Sequence, residues 1–126
     1  MDKYFYVELI NEIKGFKNKY GDKHALMKYE EYVLKLNEPN LSYNFVKLVE
    51  GADVKRHEDI IMESKSPRIC FLFAKDIEGA DTDALYEVVK NSGDEYYIRI
   101  FKTDAIDKKE IEKLNSKNVT RKLVRK

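Results

Sequence analysis

Apolar residues recur every three or four positions at the start of the chain, and this spacing predicts amphipathic helices. One predicted helix face carries Phe5, Leu9, Ile13, Phe16 and Tyr20. A break at Gly21-Asp22 precedes a second predicted helix, over about residues 23–36, which ends before Pro39. Residues 1–40 are therefore predicted to form an N-terminal helical cap.

From residue 41 the pattern repeats with a period of 28 residues. The segment Glu50-Gly51-Ala52-Asp53 returns as Glu78-Gly79-Ala80-Asp81, and Phe45 returns as Phe73 and then Phe101. Four consecutive identities among matched apolar positions indicate a tandem repeat. The third copy is degraded, because its turn has become Asp107-Lys108-Lys109.

Each unit is predicted to be a pair of helices joined by the Gly-Ala-Asp turn. The first helix, 41–50 or 69–78, would stop at Gly51 or Gly79, since glycine adopts the left-handed conformation of a helix end at little cost. Asp53 and Asp81 would then cap the second helix. Ser66-Pro67 and Gly93-Asp94 would begin the following units.

A unit of this kind cannot bury its apolar face alone and must stack on its neighbours. The sequence therefore predicts an all-α fold, a short α-solenoid of antiparallel helix pairs over residues 41–114. The N-terminal cap precedes it, and a basic tail at 115–126 completes a single domain over 1–126.

An α/β fold is the alternative, with strands near 69–74 and 96–101, because both segments are rich in β-branched and aromatic residues. The equivalent segment 42–47 is a poor strand, however, and equivalent repeats should share one structure. The helical interpretation is therefore favoured.

The repeat motifs are clearest between residues 71 and 98, where they run Phe73-Ala74, Glu78-Gly79-Ala80-Asp81, Ala84-Leu85, Val88-Val89, Ser92-Gly93-Asp94 and Tyr97-Ile98. This pattern resembles a tandem helical repeat of uncharacterised phage and bacterial proteins. Residues 41–69 match less closely, because His57 replaces the leucine and Lys65 the glycine. The resemblance implies an α-solenoid fragment and a mobile-element origin, and it implies no catalytic residues.

Candidate chemistry is sparse. Cys70 is the one cysteine and lies in an apolar run, so a buried core residue is favoured over a reactive thiol. His57 occupies the repeat position of Leu85, which favours a packed, hydrogen-bonded histidine over a metal ligand or base. No zinc-like spacing and no glycine-rich phosphate loop is present, so we expect no enzyme activity, no metal and no cofactor.

No stretch approaches the roughly 18 apolar residues of a membrane span, and the N-terminus has no apolar signal region. The sequence therefore predicts a soluble, cytoplasmic protein that does not act at a membrane.

The net charge of +1 conceals strong polarity along the chain. Seven acidic residues and one basic residue, Lys90, lie between positions 76 and 95, whereas residues 113–126 hold six basic residues and no acidic one. A solvated helix face and a flexible end are the plain interpretations of these segments. The functional interpretation assigns partner binding to Asp76, Glu78, Asp83, Glu87 and Tyr96. Its alternative assigns nucleic-acid binding to Arg121, Lys122, Arg125 and Lys126.

Three functions follow as hypotheses. The first is a non-enzymatic protein-binding repeat module whose acidic surface meets a basic partner, such as the nucleic-acid channel of an effector. Together with the resemblance, it suggests a phage or mobile-element inhibitor of a host defence nuclease, of the anti-CRISPR type. The second is nucleic-acid binding through the basic tail, and the third is self-assembly into a homodimer through the ends of the repeat.

Overall fold

The apolar periodicity along the chain is realised as consecutive helices. A computed structural model describes residues 3–107, 109–111 and 114. The residues predicted to bind nucleic acid, Arg121, Lys122, Arg125 and Lys126, lie outside this part of the chain. The helices are α1 (Lys3–Tyr20), α2 (Asp22–Leu36), α3 (Pro39–Leu48), α4 (Val54–Glu63), α5 (Pro67–Asp76), α6 (Thr82–Ser92) and α7 (Glu95–Phe101), followed by a π-helix over Lys102–Asp107. The described residues contain no strand, so the all-α prediction is confirmed.

The α/β alternative is wrong, and the burial of α5 explains why 69–74 is strand-like in sequence. Helices α3, α4, α6 and α7 all contact α5. Apolar residues consequently surround the helix instead of forming one stripe, and a helix buried on several sides loses the periodicity that distinguishes it from a buried strand. Its fully or nearly buried residues are Ile69, Cys70, Phe71, Phe73 and Ala74.

The starts of α3, α5 and α7 are capped at positions 28 residues apart. In each case the side chain of the residue before the helix accepts a hydrogen bond from the backbone N–H three residues later, which satisfies a donor that the helix leaves unpaired. The caps are Glu38 to Leu41, Ser66 to Ile69 and Asp94 to Tyr97, at 2.7, 3.5 and 3.2 Å. The predicted restarts at Ser66 and Asp94 are confirmed, and α3 begins at Pro39 rather than at residue 41.

The residue before each cap has a positive φ, again with a period of 28. Asn37, Lys65 and Gly93 have φ values of 51°, 56° and 76°. Gly93 takes this conformation without the steric cost that a side chain adds, and asparagine tolerates it better than most residues. Lys65 therefore keeps the same backbone turn although it replaces the glycine of the repeat. Asn37, at the end of α2, has this turn as well.

The first helix of each pair ends earlier than predicted. Helices α3 and α5 end at Leu48 and Asp76 rather than at residues 50 and 78, because Val49 and Ile77 are extended and buried. Gly51 and Gly79 have the expected positive φ, 91° and 87°, but they lie in the turn after the extended residue. Burial of one apolar side chain thus sets each helix end.

The helices form a chain of local contacts. Helices α1, α3, α5 and α7 pack against one another in sequence, while α2, α4 and α6 each pack between two of them. Phe45 and Phe73 are fully buried in α3 and α5, which confirms that they occupy equivalent core positions. Phe101 is also fully buried, so the core spacing continues into the degraded third copy.

Two carboxylates link consecutive helix pairs in the same way. Glu30 on α2 accepts a hydrogen bond from the backbone N–H of Asp53, and Glu58 on α4 accepts one from Asp81, each at 2.7 Å. Glu58 is almost completely buried. Glu30 and Glu58 thus hold the backbone of Asp53 and Asp81, the residues that cap α4 and α6. The turn geometry of one helix pair therefore depends on the pair before it.

Candidate functional site

The acidic residues predicted to bind a partner have different surroundings. Asp81 caps α6 by accepting a hydrogen bond from the N–H of Ala84 at 3.1 Å, as Asp53 does for α4. This assignment of Asp81 to capping is confirmed. Its carboxylate consequently serves the helix end and is not counted in a binding surface.

Asp76, which the sequence analysis assigns to partner binding, is engaged in contacts within the fold. Its carboxylate accepts a hydrogen bond from the Tyr43 hydroxyl and lies 3.9 Å from Lys47 Nζ and 3.8 Å from Lys75 Nζ. Burial and this hydrogen bond raise the pKa of Tyr43 well above its ordinary value. Asp76 therefore connects α5 to α3.

Glu78, Asp83 and Glu87 are accessible on the surface. All three are exposed, and none forms an ion pair or a side-chain hydrogen bond with another described residue. Asp83 and Glu87 are one helical turn apart on α6, about 6 Å along its axis, and Glu78 lies in the turn that precedes the helix. We refer to Glu78, Asp83 and Glu87 as the acidic face.

Glu31 and Asp59, which are exposed earlier in the chain, are paired with basic residues. Glu31 forms two hydrogen bonds, of 2.6 and 2.9 Å, with the guanidinium of Arg56, which lowers the pKa of Glu31. Asp59 lies 3.7 Å from Lys55 Nζ. The acidic face forms no ion pair with another described residue, although Lys109 Nζ lies 3.3 Å from Thr82 Oγ1 at the start of α6.

Tyr96 lies apart from most of the acidic face. It is 57% exposed at the start of α7, with its ring 5.0 Å from that of Tyr97 in an edge-to-face arrangement. Tyr96 follows the C-terminal end of α6, whereas Glu78 precedes its N-terminal end, a separation of about 16 Å for an 11-residue helix. The structure does not place these two residues side by side.

A buried polar network connects α2, α3 and α4. His57 and Ser42 are fully buried; His57 Nδ1 lies 3.0 Å from Ser42 Oγ, and Nε2 lies 3.2 Å from a carboxylate oxygen of Glu30. Burial lowers the pKa of His57, against the opposing effect of the Glu30 carboxylate. The predicted packed, hydrogen-bonded histidine is confirmed. Sequence reasoning did not identify Ser42 and Glu30 as its partners.

The residue types of this network are those of a serine hydrolase, but the network lacks access. A nucleophilic serine must reach a substrate carbonyl while a histidine takes its proton. Here both Ser42 and His57 have no exposed surface. The arrangement satisfies buried polar groups, and it presents no reacting atom to a substrate.

Cys70 is buried in α5, with its sulfur 3.6 Å from the carbonyl oxygen of Ile61. Burial, with a smaller contribution from the nearby Glu58 carboxylate, raises the pKa of the Cys70 thiol to about 12. The thiolate form that reacts with electrophiles is therefore scarce at neutral pH.

We expect iodoacetamide at pH 7.5 to leave Cys70 unmodified in the folded protein over hours, while the same protein in 6 M guanidinium chloride is alkylated within minutes. Intact-mass spectrometry of quenched samples measures both rates. Rapid modification of the folded protein at an unchanged circular dichroism spectrum would contradict the burial of this thiol.

Two of the surface clefts among the described residues lie between neighbouring elements. One, of about 530 Å³, lies between α1 and the start of α3 and is lined mainly by Tyr6, Val7, Ile10, Asn11, Leu41 and Asn44. The other, of about 290 Å³, lies between the turns that follow α3 and α5. The second one includes Glu78 in its lining and so borders the acidic face.

Within the part of the chain that the structure describes, no group of three or more histidine, cysteine, aspartate or glutamate side chains is arranged to hold a metal ion. No described helix has the length and apolar character to cross a membrane. Comparison with protein families, with curated proteins and with solved structures found no match for this chain.

Proposed function

We propose that the protein is a non-enzymatic protein-binding module of helical repeats, whose acidic face receives a basic surface of its partner. One observation carries this proposal. Glu78, Asp83 and Glu87 are exposed, form no ion pair with another described residue and fall within one short segment of the chain, whereas the exposed Glu31 and Asp59 have basic partners. Unpaired charges on one face attract an oppositely charged surface and accelerate its association.

The rigidity of the elements that carry these residues supports the same proposal. Asp83 and Glu87 project from a helix whose start is capped by Asp81 and whose buried face holds Leu85 and Val89. The backbone positions that carry these carboxylates are consequently fixed before binding, so association orders side chains and not the helix.

The narrower proposal is a phage or mobile-element inhibitor of a host defence nuclease, of the anti-CRISPR type, that acts in the cytoplasm. A nucleic-acid channel is lined by lysine and arginine, and carboxylates on a fixed helix can occupy it in place of phosphates. Support comes from the acidic face together with the sequence resemblance to repeats of phage proteins.

The test is a charge reversal with a matched control. Glu78→Lys with Glu87→Lys alters the acidic face without touching a helix cap. Glu8→Lys with Glu63→Lys makes the same change of charge on α1 and α4, at exposed residues without an ion pair to another described residue. Because surface substitutions usually change stability by within about ±0.5 kcal/mol each, all variants should fold.

The partner is first captured from the native host by the tagged wild-type protein and identified by mass spectrometry. Association kinetics with that partner should then show an association rate about tenfold lower for the acidic-face variant, with a larger difference at low salt. The control variant should associate at the wild-type rate. Binding that tolerates the acidic-face reversal but is lost when residues 119–126 are deleted would overturn the proposal in favour of the basic tail.

A further inference from the structure

The cleft between the turns that follow α3 and α5, here called the turn cleft, combines an apolar floor with an acidic rim. Its volume of about 290 Å³ is at the lower end of the range for small-molecule pockets, so it suits one side chain better than a whole ligand. The floor is formed by Val46, Val49, Ala52, Val54 and Ile77, and the charged rim by Lys47, Glu50, Asp76 and Glu78.

The repeat explains why the cleft is open at this position. The Asp22 carboxylate, at the start of α2, accepts a hydrogen bond of 3.0 Å from the backbone N–H of Glu50. This bond bridges the turn that follows α1 and the turn that follows α3. Glu50 takes the place of Asp22 one period later. Its exposed side chain makes no corresponding bond to Glu78 or to any other described residue, so the second pair of turns is not bridged.

The charges on the rim leave two carboxylates available. Asp76 is already bound by Tyr43 and lies 3.9 Å from the ammonium group of Lys47. Glu50 and Glu78 have no such partner among the described residues. The rim therefore carries three carboxylates, of which Asp76 alone has ammonium groups beside it, those of Lys47 and Lys75, and the other two carboxylates belong to successive turns.

We propose that the turn cleft accepts one arginine side chain from the basic surface of the partner. The aliphatic part of arginine would lie on the valine and isoleucine floor, with the guanidinium between Glu50 and Glu78. Its planar group presents five donors and is less strongly hydrated than an ammonium, so it suits two separate carboxylates better than lysine does. This inference rests on the proposed function, because it identifies the partner group that would enter beside the acidic face.

The experiment uses N-acetyl-arginine amide as the probe and the full chain labelled for NMR at valine and isoleucine methyl groups. At low salt we expect saturable shifts confined to the methyl groups of Val46, Val49, Val54 and Ile77, with a dissociation constant on the order of 1 mM, typical of weak single-group binding. The citrulline analogue has the same shape without the charge and should cause no saturable shift.

Substitution at the rim provides the control. Glu50→Gln with Glu78→Gln should weaken probe binding at least fivefold, whereas Glu8→Gln with Glu63→Gln should leave it unchanged. Shifts spread evenly over the surface, or shifts that the rim variant does not reduce, would overturn the inference.

The two proposals fail separately. If the probe does not bind the turn cleft while reversal of Glu78 and Glu87 still slows partner association, the arginine site is wrong and the acidic face stands. If the probe binds as expected but that reversal has no effect on the partner, the proposed function is wrong and the cleft remains an arginine site.

Discussion

Replacing Phe73 by alanine should lower the free energy of unfolding by about 3–5 kcal/mol. The ring is fully buried in α5, which contacts helices on both sides of it along the chain. Its removal takes away apolar burial and leaves a cavity that the surrounding helices cannot fully close, because they are fixed by their own caps.

Urea unfolding followed by circular dichroism measures this loss. Phe45→Ala tests the repeat directly, because Phe45 is the fully buried equivalent in α3. This substitution should lower the free energy of unfolding by a similar amount. Tyr96→Ala is the exposed control and should change stability by less than about 0.5 kcal/mol. Equal unfolding midpoints for wild type and Phe73→Ala would contradict the core position of this ring.

Acidification should destabilise the fold through His57. Burial holds the pKa of His57 below its ordinary value in the folded protein, although Glu30 and Asp53 oppose this and Arg56 adds to it. As the pH falls through the ordinary histidine pKa of about 6.5, the unfolded chain takes up the proton first, which favours unfolding. The stability that depends on neutral His57 is therefore fully present above that pH and is lost as the pH falls below it. The free energy of unfolding falls by at most about 1.4 kcal/mol per pH unit from this one group.

His57→Leu separates this contribution from that of the carboxylates. Leucine is the residue at the equivalent position, Leu85, and it cannot take up a proton. The variant should start from lower stability at pH 7.5, since Ser42 loses its buried hydrogen-bond partner. Between pH 7 and pH 5 its stability should nevertheless fall less steeply than that of the wild type. Parallel curves from urea unfolding over this range would exclude His57 as the titrating group.

Local signals predicted the helix starts well. Asp53, Ser66, Asp81 and Asp94 cap helices as expected, because a capping side chain reaches a backbone N–H only three residues away. Such contacts are contained in a short segment of sequence.

The features that sequence reasoning missed depend on residues distant in the chain. Val49 and Ile77 end their helices early because the core accepts an extended apolar residue there, which glycine placement alone does not reveal. Tyr43 and Asp76 are 33 residues apart, so the hydrogen bond that engages Asp76 could not be predicted from its neighbours in sequence.

The two carboxylates that link helix pairs are a further feature that sequence reasoning missed. Glu30 and Glu58 look like surface residues in sequence, since charged residues are rarely buried without a partner. Their partners are backbone N–H groups 23 residues later, and a backbone donor leaves no mark on residue type. One signal was available in retrospect: the two glutamates are themselves one period apart.

The His57 network makes the three related second helices chemically distinguishable. At its position α2 has Tyr29 and α6 has Leu85, both buried and both unable to replace histidine between Ser42 and Glu30. If α6 exchanged places with α4, within one chain or between two chains, Leu85 would leave the Ser42 hydroxyl buried without a hydrogen bond, at a cost of about 1–3 kcal/mol. A sequence built from similar units is open to misfolding by slippage of one unit and to exchange of units between molecules. One polar residue in one unit thus disfavours both errors wherever they would displace α4.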